Sequence, residues 1–83
     1  MKVNVKYFAS IREALGRGGE LLETKAATVG ALRDELIARG GPHASSLARG
    51  KAVRAALDQV MSNEDAALAE GCEVAFFPPV TGG

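Results

Sequence analysis

A run of strict apolar–polar alternation, Lys2–Phe8 near the start, and a short strand-like run, Cys72–Phe77 near the end, bracket a single long stretch of helical periodicity. That order leaves few architectures open to 83 residues. In the first run Val3, Val5 and Tyr7 share one face and Lys2, Asn4, Lys6 and Phe8 the other. Between the runs Val29, Leu32, Leu36 and Ile37 form an apolar stripe at helical spacing; Thr28 is placed to cap its start, and Arg39-Gly40 to supply a basic last turn and a stop. Strands, a helix and strands again predict an α+β layer in which one main helix, with short helices beside it, packs on a mixed sheet.

The remaining segments are shorter. Ser10 stands three residues before Glu13, a capping-box spacing, and Gly16 is suited to the left-handed position that ends a short helix with Ile11 and Leu15 inward. Glu20–Lys25 predicts a second strand, with Leu21-Leu22 leaving the buried face undecided. Gly41–Lys51 reads as a loop with a helical turn around Ala44–Arg49. Val53–Leu57 reads as a strand, Asp58-Gln59 as a turn, Val60-Met61 as a short strand and Glu70-Gly71 as the turn into the last one.

Size and charge narrow the function. A domain this small buries only about 60–65% of its unfolded surface, which leaves little room for an enclosed catalytic cavity. Ten basic and ten acidic residues cancel without a run of either sign, so neither a nucleic acid nor a membrane surface is expected as partner. The start, Met1–Lys6, alternates instead of forming an apolar leader, and a cytoplasmic setting is expected. The single cysteine, Cys72, excludes an internal disulfide and multi-cysteine zinc patterns. It shares strand parity with Val74 and Phe76, so it reads as a small buried hydrophobe. His43, after Gly41-Pro42, reads as a solvated loop histidine, and no metal site is expected. Arg12 and Glu13 read as solvated helix charges.

The last eight residues, Phe76-Phe77-Pro78-Pro79-Val80-Thr81-Gly82-Gly83, are the chemically suggestive part. Proline lacks a backbone donor and fixes φ, so Pro78-Pro79 should stop a strand at Phe77 and hold the next residues extended. A terminal diglycine has no Cβ near its carboxylate and fits a narrow channel. The division expected is a domain over 1–77 and a tail over 78–83, which at about 3.3–3.6 Å per residue reaches roughly 20 Å. Strand parity adds a surface clue, because Phe8 and Phe77 both fall on otherwise polar faces, and exposed aromatics beside a functional tail often anchor interfaces.

The run from Phe76 to Gly83 resembles the C-terminal signature of the small subunit of molybdopterin synthase, the MoaD family of ubiquitin-like sulfur carriers. The likeness is strongest over Glu73–Gly83 and weaker over Tyr7–Leu15 and Thr28–Arg39. It implies a β-grasp fold in which the first and last strands lie parallel at the sheet's centre. It also implies a mechanism: an E1-like adenylating enzyme uses ATP to convert Gly83 to an acyl-adenylate, a persulfide sulfur donor leaves a thiocarboxylate (1-thioglycine), and the large subunit of molybdopterin synthase uses that sulfur to convert cyclic pyranopterin monophosphate to molybdopterin. No cofactor is bound, and the chain would not be catalytic alone. On this reading Gly83 carries the chemistry and Gly82 the steric clearance. Pro78, Pro79, Val80 and Thr81 form the inserted tail, and Phe8, Met61 and Phe77 the docking surface. Two alternatives stand beside it. One is a diglycine carrier of another pathway (thiamine, cysteine or tRNA thiolation) or a ubiquitin-like modifier of lysines. The other is an interaction domain with an inert tail. One departure from the family pattern is Asp58-Gln59 where Asn-Gln is common.

Overall fold

The computed structural model describes residues 1–78; Pro79, Val80, Thr81, Gly82 and Gly83 lie outside the described residues. A five-stranded mixed sheet carries three helices in the order β1 (Lys2–Tyr7), α1 (Ala9–Leu15), β2 (Gly19–Glu23), α2 (Val29–Ile37), α3 (Gly41–Leu47), β3 (Arg54–Leu57), β4 (Val60–Ser62) and β5 (Glu73–Phe77). The strand order is β2-β1-β5-β3-β4. β5 pairs parallel with β1 and antiparallel with β3. It is therefore held by a strand on either side, and the chain leaves the sheet from its middle.

The alternation in β1 does what it predicts: Val3, Val5 and Tyr7 are buried, their neighbours exposed. With Leu22, Val74 and Phe76 they form the sheet's share of the core, and Val29, Leu32, Leu36, Ile11 and Leu47 close it from the helical side. The ambiguity at Leu21-Leu22 resolves through register. Leu22 opposes Val3 and is buried, whereas Leu21 opposes Asn4 and is 62% exposed. Cys72 is buried, as its parity requires.

Local signals act where the chain must change direction. Thr28 caps α2 by accepting from the Ala31 N–H at 3.1 Å. Gly16 ends α1 at φ +72°. Asp58 and Gln59 both take positive φ, +49° and +69°, the hairpin geometry whose twist matches the flanking strands β3 and β4. Asp58 Oδ1 also accepts from the Glu73 N–H at 2.9 Å, a bond an asparagine oxygen makes equally well, so the departure from Asn-Gln conserves the contact.

Three local readings are corrected. The residue capping α1 is Phe8, whose side chain makes no capping bond, and Ser10 lies inside the helix; the capping box is not formed. Arg39 lies beyond the end of α2, where Ala38 is the C-cap, so α2 has no basic last turn. The segment read as a loop is a helix for seven residues, Gly41–Leu47, started by proline in its first turn.

Candidate functional site

The root of the tail is built from the ends of the two central strands. Phe76 faces the core and Phe77 the open side of the sheet. Phe8, one residue past β1, meets Phe77 there, with ring centroids 4.7 Å apart and planes 11° from parallel. Ala9 takes φ +50° immediately afterwards, a conformation costing about 1 kcal/mol or more for a non-glycine residue. The core anchors both rings from behind, since Tyr7 and Phe76 are 1% exposed while Phe8 is 40% exposed.

Cross-strand register extends this face. Gly19 opposes Lys6, Lys6 opposes Ala75, Ala75 opposes Ala56 and Ala56 opposes Met61, so one row crosses all five strands. Partners in a row point to the same face. Met61 therefore lies on the same side as Phe77, two strands and about 10 Å away. It is 57% exposed, and Val60 beside it 66%. Ala75 and Ala56 make a low floor between the Phe8–Phe77 stack and Met61, and Lys6 pairs with Glu73 at 3.8 Å along the other flank. The structure thus brings Phe8, Phe77 and Met61 onto one surface, while Pro78 lines a groove with Ile11 and Ala14 of α1 on the helical side. Contiguous exposed apolar side chains of this kind mark interaction sites more often than solvated surface.

Two polar clusters lie on the helical side of the sheet, and both were missed by pattern reading. Glu20 Oε2 accepts from the Tyr7 hydroxyl at 2.7 Å and lies 3.2 Å from His43 Nε2, while Glu20 Oε1 accepts from Arg39 at 2.9 Å. His43 is half-buried and meets the Tyr7 ring edge-on at 6.1 Å, which overturns its reading as a solvated loop residue. Burial alone would raise the Glu20 carboxyl, but hydrogen bonds from Tyr7, His43 and Arg39 outweigh it and hold the group at about 2. Burial, and then donation to Glu20, pushes the Tyr7 hydroxyl well above its ordinary range. Tyr7 remains a neutral donor, fixing the strand end that carries Phe8.

The second cluster centres on Arg33, 4% exposed. Its guanidinium donates to the carbonyls of Leu47 at 2.8 Å, Ala48 at 2.7 Å and Lys51 at 3.1 Å, and to Glu64 at 2.9 Å. Arg49 joins Glu64 and Asp34 from outside, and its hydrogen bond, with that of Arg33, lowers the Glu64 carboxyl. One side chain thereby ties α2 to the end of α3 and the segment before β3. Its position was legible after all, since Arg33 follows Val29 by four and precedes Leu36 by three on the apolar stripe.

Among the described residues no group of three or more His, Cys, Asp or Glu side chains is placed to hold a metal, and no helix is long and apolar enough to cross a membrane. Of the residues singled out in the sequence, Phe8, Met61, Phe77 and Pro78 are accounted for above. Pro79, Val80, Thr81, Gly82 and Gly83 lie outside the described residues.

Comparison with known proteins bears on family and fold. The chain is 41% identical over 81 residues to the molybdopterin synthase sulfur carrier subunits of Haemophilus influenzae and Escherichia coli, covering 98% of this chain and 99% of each relative. Among solved structures it is similar to SAMP1 of Haloferax volcanii, with 26% identity, TM-score 0.79 and complete coverage of both chains. At 24% identity and TM-score 0.69, again covering both chains fully, it shares its fold with a chain of the complex of subunits 1 and 2 of the molybdopterin-converting factor from Helicobacter pylori. These neighbours are ubiquitin-like β-grasp proteins, as is this one. The ThiS family model matches residues 5–83, and the chain belongs to that family.

Proposed function

We propose that this chain is the sulfur carrier subunit of a molybdopterin synthase, with Gly83 as the atom-transferring residue. The observation that carries the reading is its 41% identity, over nearly the whole length of both chains, to two proteins of that name. A carboxylate resists nucleophiles because it is anionic at neutral pH. Activation therefore comes first: a carboxylate oxygen of Gly83 attacks the α-phosphorus of ATP, pyrophosphate leaves, and an acyl-adenylate forms on an E1-like enzyme. A persulfide sulfur then displaces AMP, and a thiol cleaves the resulting acyl disulfide to release the thiocarboxylate. Gly82 keeps the approach to that carbon open. Pro78, Pro79, Val80 and Thr81 span the distance into a partner's active site.

The partner in the final step is a molybdopterin synthase large subunit, and the open face bearing Phe8, Phe77 and Met61 is the surface on which it and the activating enzyme dock. The Helicobacter pylori complex of subunits 1 and 2 supports a two-subunit assembly for this fold. The domain over 1–77 is the rigid body and 78–83 the inserted arm. A cytoplasmic setting fits a chain whose one cysteine is a free thiol.

The test is reconstitution. The chain is incubated with ATP, an adenylating enzyme and a persulfide donor, then with a large subunit and cyclic pyranopterin monophosphate, and molybdopterin is assayed. Product is expected with the intact tail and none after removal of Gly82-Gly83. A second reading, a protein modifier, is favoured by the match to SAMP1, a small archaeal modifier protein. Thiocarboxylate without molybdopterin, together with lysine-linked adducts, would select it.

A further inference from the structure

The open face carries one charge, beside its apolar anchors, that the fold leaves unanswered. Arg54 begins β3 and pairs in register with Phe77. Its neighbour Ala55 belongs to the core, so alternation turns Arg54 to the open side with Phe77. Arg54 also borders, together with Met61, a notch of about 430 Å³ between β3, β4 and the start of α2. It therefore stands between the Phe8–Phe77 stack and Met61. Most charges near it are answered within the chain: Lys6 pairs with Glu73 at 3.8 Å, Asp58 Oδ1 accepts from the Glu73 N–H, and Glu64, on the notch, is held by Arg33 and Arg49. Arg54 is exposed, and among the described residues no carboxylate lies within ion-pair distance of it. Lys2 is the other such cation on this face, but it lies at the opposite end of β1, roughly 20 Å from Phe8.

We propose that Arg54 is the specificity-determining residue of the open face, selecting a large subunit that presents a carboxylate between its contacts to Phe77 and to Met61. The assignment rests on the function proposed for this face and adds what the partner's surface must offer. A partner seated on both Phe77 and Met61 also covers Arg54, because β3 lies between β5 and β4. An arginine so covered loses its water, and an unpaired guanidinium stripped of water is strongly unfavourable. The chain places no acid beside it, so the partner must supply one. The planar fork of arginine takes a carboxylate through two parallel hydrogen bonds, which fixes angle as well as distance. Apolar contact with Phe8, Phe77 and Met61 gives adhesion to any apolar patch of similar shape. Arg54 turns that adhesion into a choice, since a neutral or basic surface at this point is rejected. The same bidentate contact sets the rotation of the domain about Phe77, and with it the direction in which β5 points.

The experiment is calorimetric titration of the host's molybdopterin synthase large subunit with the native chain, Arg54→Leu, Arg54→Glu and Lys25→Glu. Lys25 is exposed, follows β2 and controls for the change in net charge. Unfolding temperatures of the native chain and the Arg54 variants are expected to agree, since Arg54 forms no ion pair among the described residues. Arg54→Leu is expected to weaken binding about 30-fold or more, and Arg54→Glu further still, because each leaves the partner's carboxylate without its cation. Lys25→Glu is expected to change affinity by less than about threefold. Added salt should weaken the native chain more than Arg54→Leu. Binding of Arg54→Leu as tight as native, or tighter, would mean that the partner is apolar at this point and would overturn the assignment. An equal loss in Lys25→Glu would overturn it too, by showing that net charge alone acts. Either result, with tight native binding, leaves the proposed function standing, whereas a native chain that does not bind the large subunit would overturn both.

Discussion

Phe8 and Phe77 stack at 4.7 Å although they are separated by nearly the whole chain. The parallel pairing of β1 with β5, in which Tyr7 opposes Phe76, delivers the next residue of each strand to the same spot. The stack therefore stands where the tail leaves the sheet, and it is the most direct link between the fold and what a partner would grip.

Replacing Phe8 with alanine removes a partly exposed ring, so stability should fall by only about 1 kcal/mol, the scale of an aromatic pair beyond its area. For a domain of this size that is about 4–8 °C in Tm. Affinity for a large subunit should fall further, by 2 kcal/mol or about 30-fold, as for a buried interface anchor. Calorimetry of folding and of binding on the same variant separates the two. Equal losses in both would mean that the ring serves the fold alone.

The Glu20 cluster makes stability acid-sensitive. Its folded value of about 2 lies below the ordinary 4.5, so the stabilisation is present above about pH 4.5 and is lost as the pH falls toward 2. At 1.36 kcal/mol per unit the shift amounts to about 3 kcal/mol, reduced to about 2 by solvent screening around the exposed Arg17 and Arg39. Urea unfolding from pH 7 to pH 2.5 should show this slope in the native chain and a flatter one in Glu20→Gln.

Truncating Arg33 leaves three carbonyls without their donor and the Glu64 carboxylate without one of its two cations. Arg33→Ala should cost about 3 kcal/mol, the range for breaking a buried hydrogen-bonded charge. Hydrogen exchange should rise over Leu47–Lys51 before it rises in the central strands. Uniform exchange would show that the clamp does not act locally.

The elements legible in the sequence are those whose signal is local. Alternation identified β1, the Glu70-Gly71 turn and the Pro78-Pro79 stop bounded β5, the stripe from Val29 to Ile37 identified α2, and Asp58-Gln59 marked the hairpin. What escaped depends on residues distant in sequence. α3 has the composition of a loop, Gly-Pro-His-Ala-Ser-Ser-Leu, and is helical because Leu47 reaches the core and Arg33 holds its last carbonyl. His43 lost its reading as a solvated residue because β2 brings Glu20 beneath it, and Ser10 lost its capping role because the tight turn at Ala9 starts α1 one residue after the strand. The likeness of Phe76–Gly83 to the sulfur carrier tail pointed to the same family as the match over residues 5–83.

The central claim concerns one atom of Gly83, and intact mass spectrometry of the protein isolated from its native host tests it most directly. The C-terminal peptide should gain about 16 Da on Gly83, oxygen replaced by sulfur, with fragmentation excluding methionine sulfoxide at Met1 and Met61. An unchanged carboxylate on Gly83, even after incubation with ATP, the adenylating enzyme and a persulfide donor, would contradict the sulfur carrier reading.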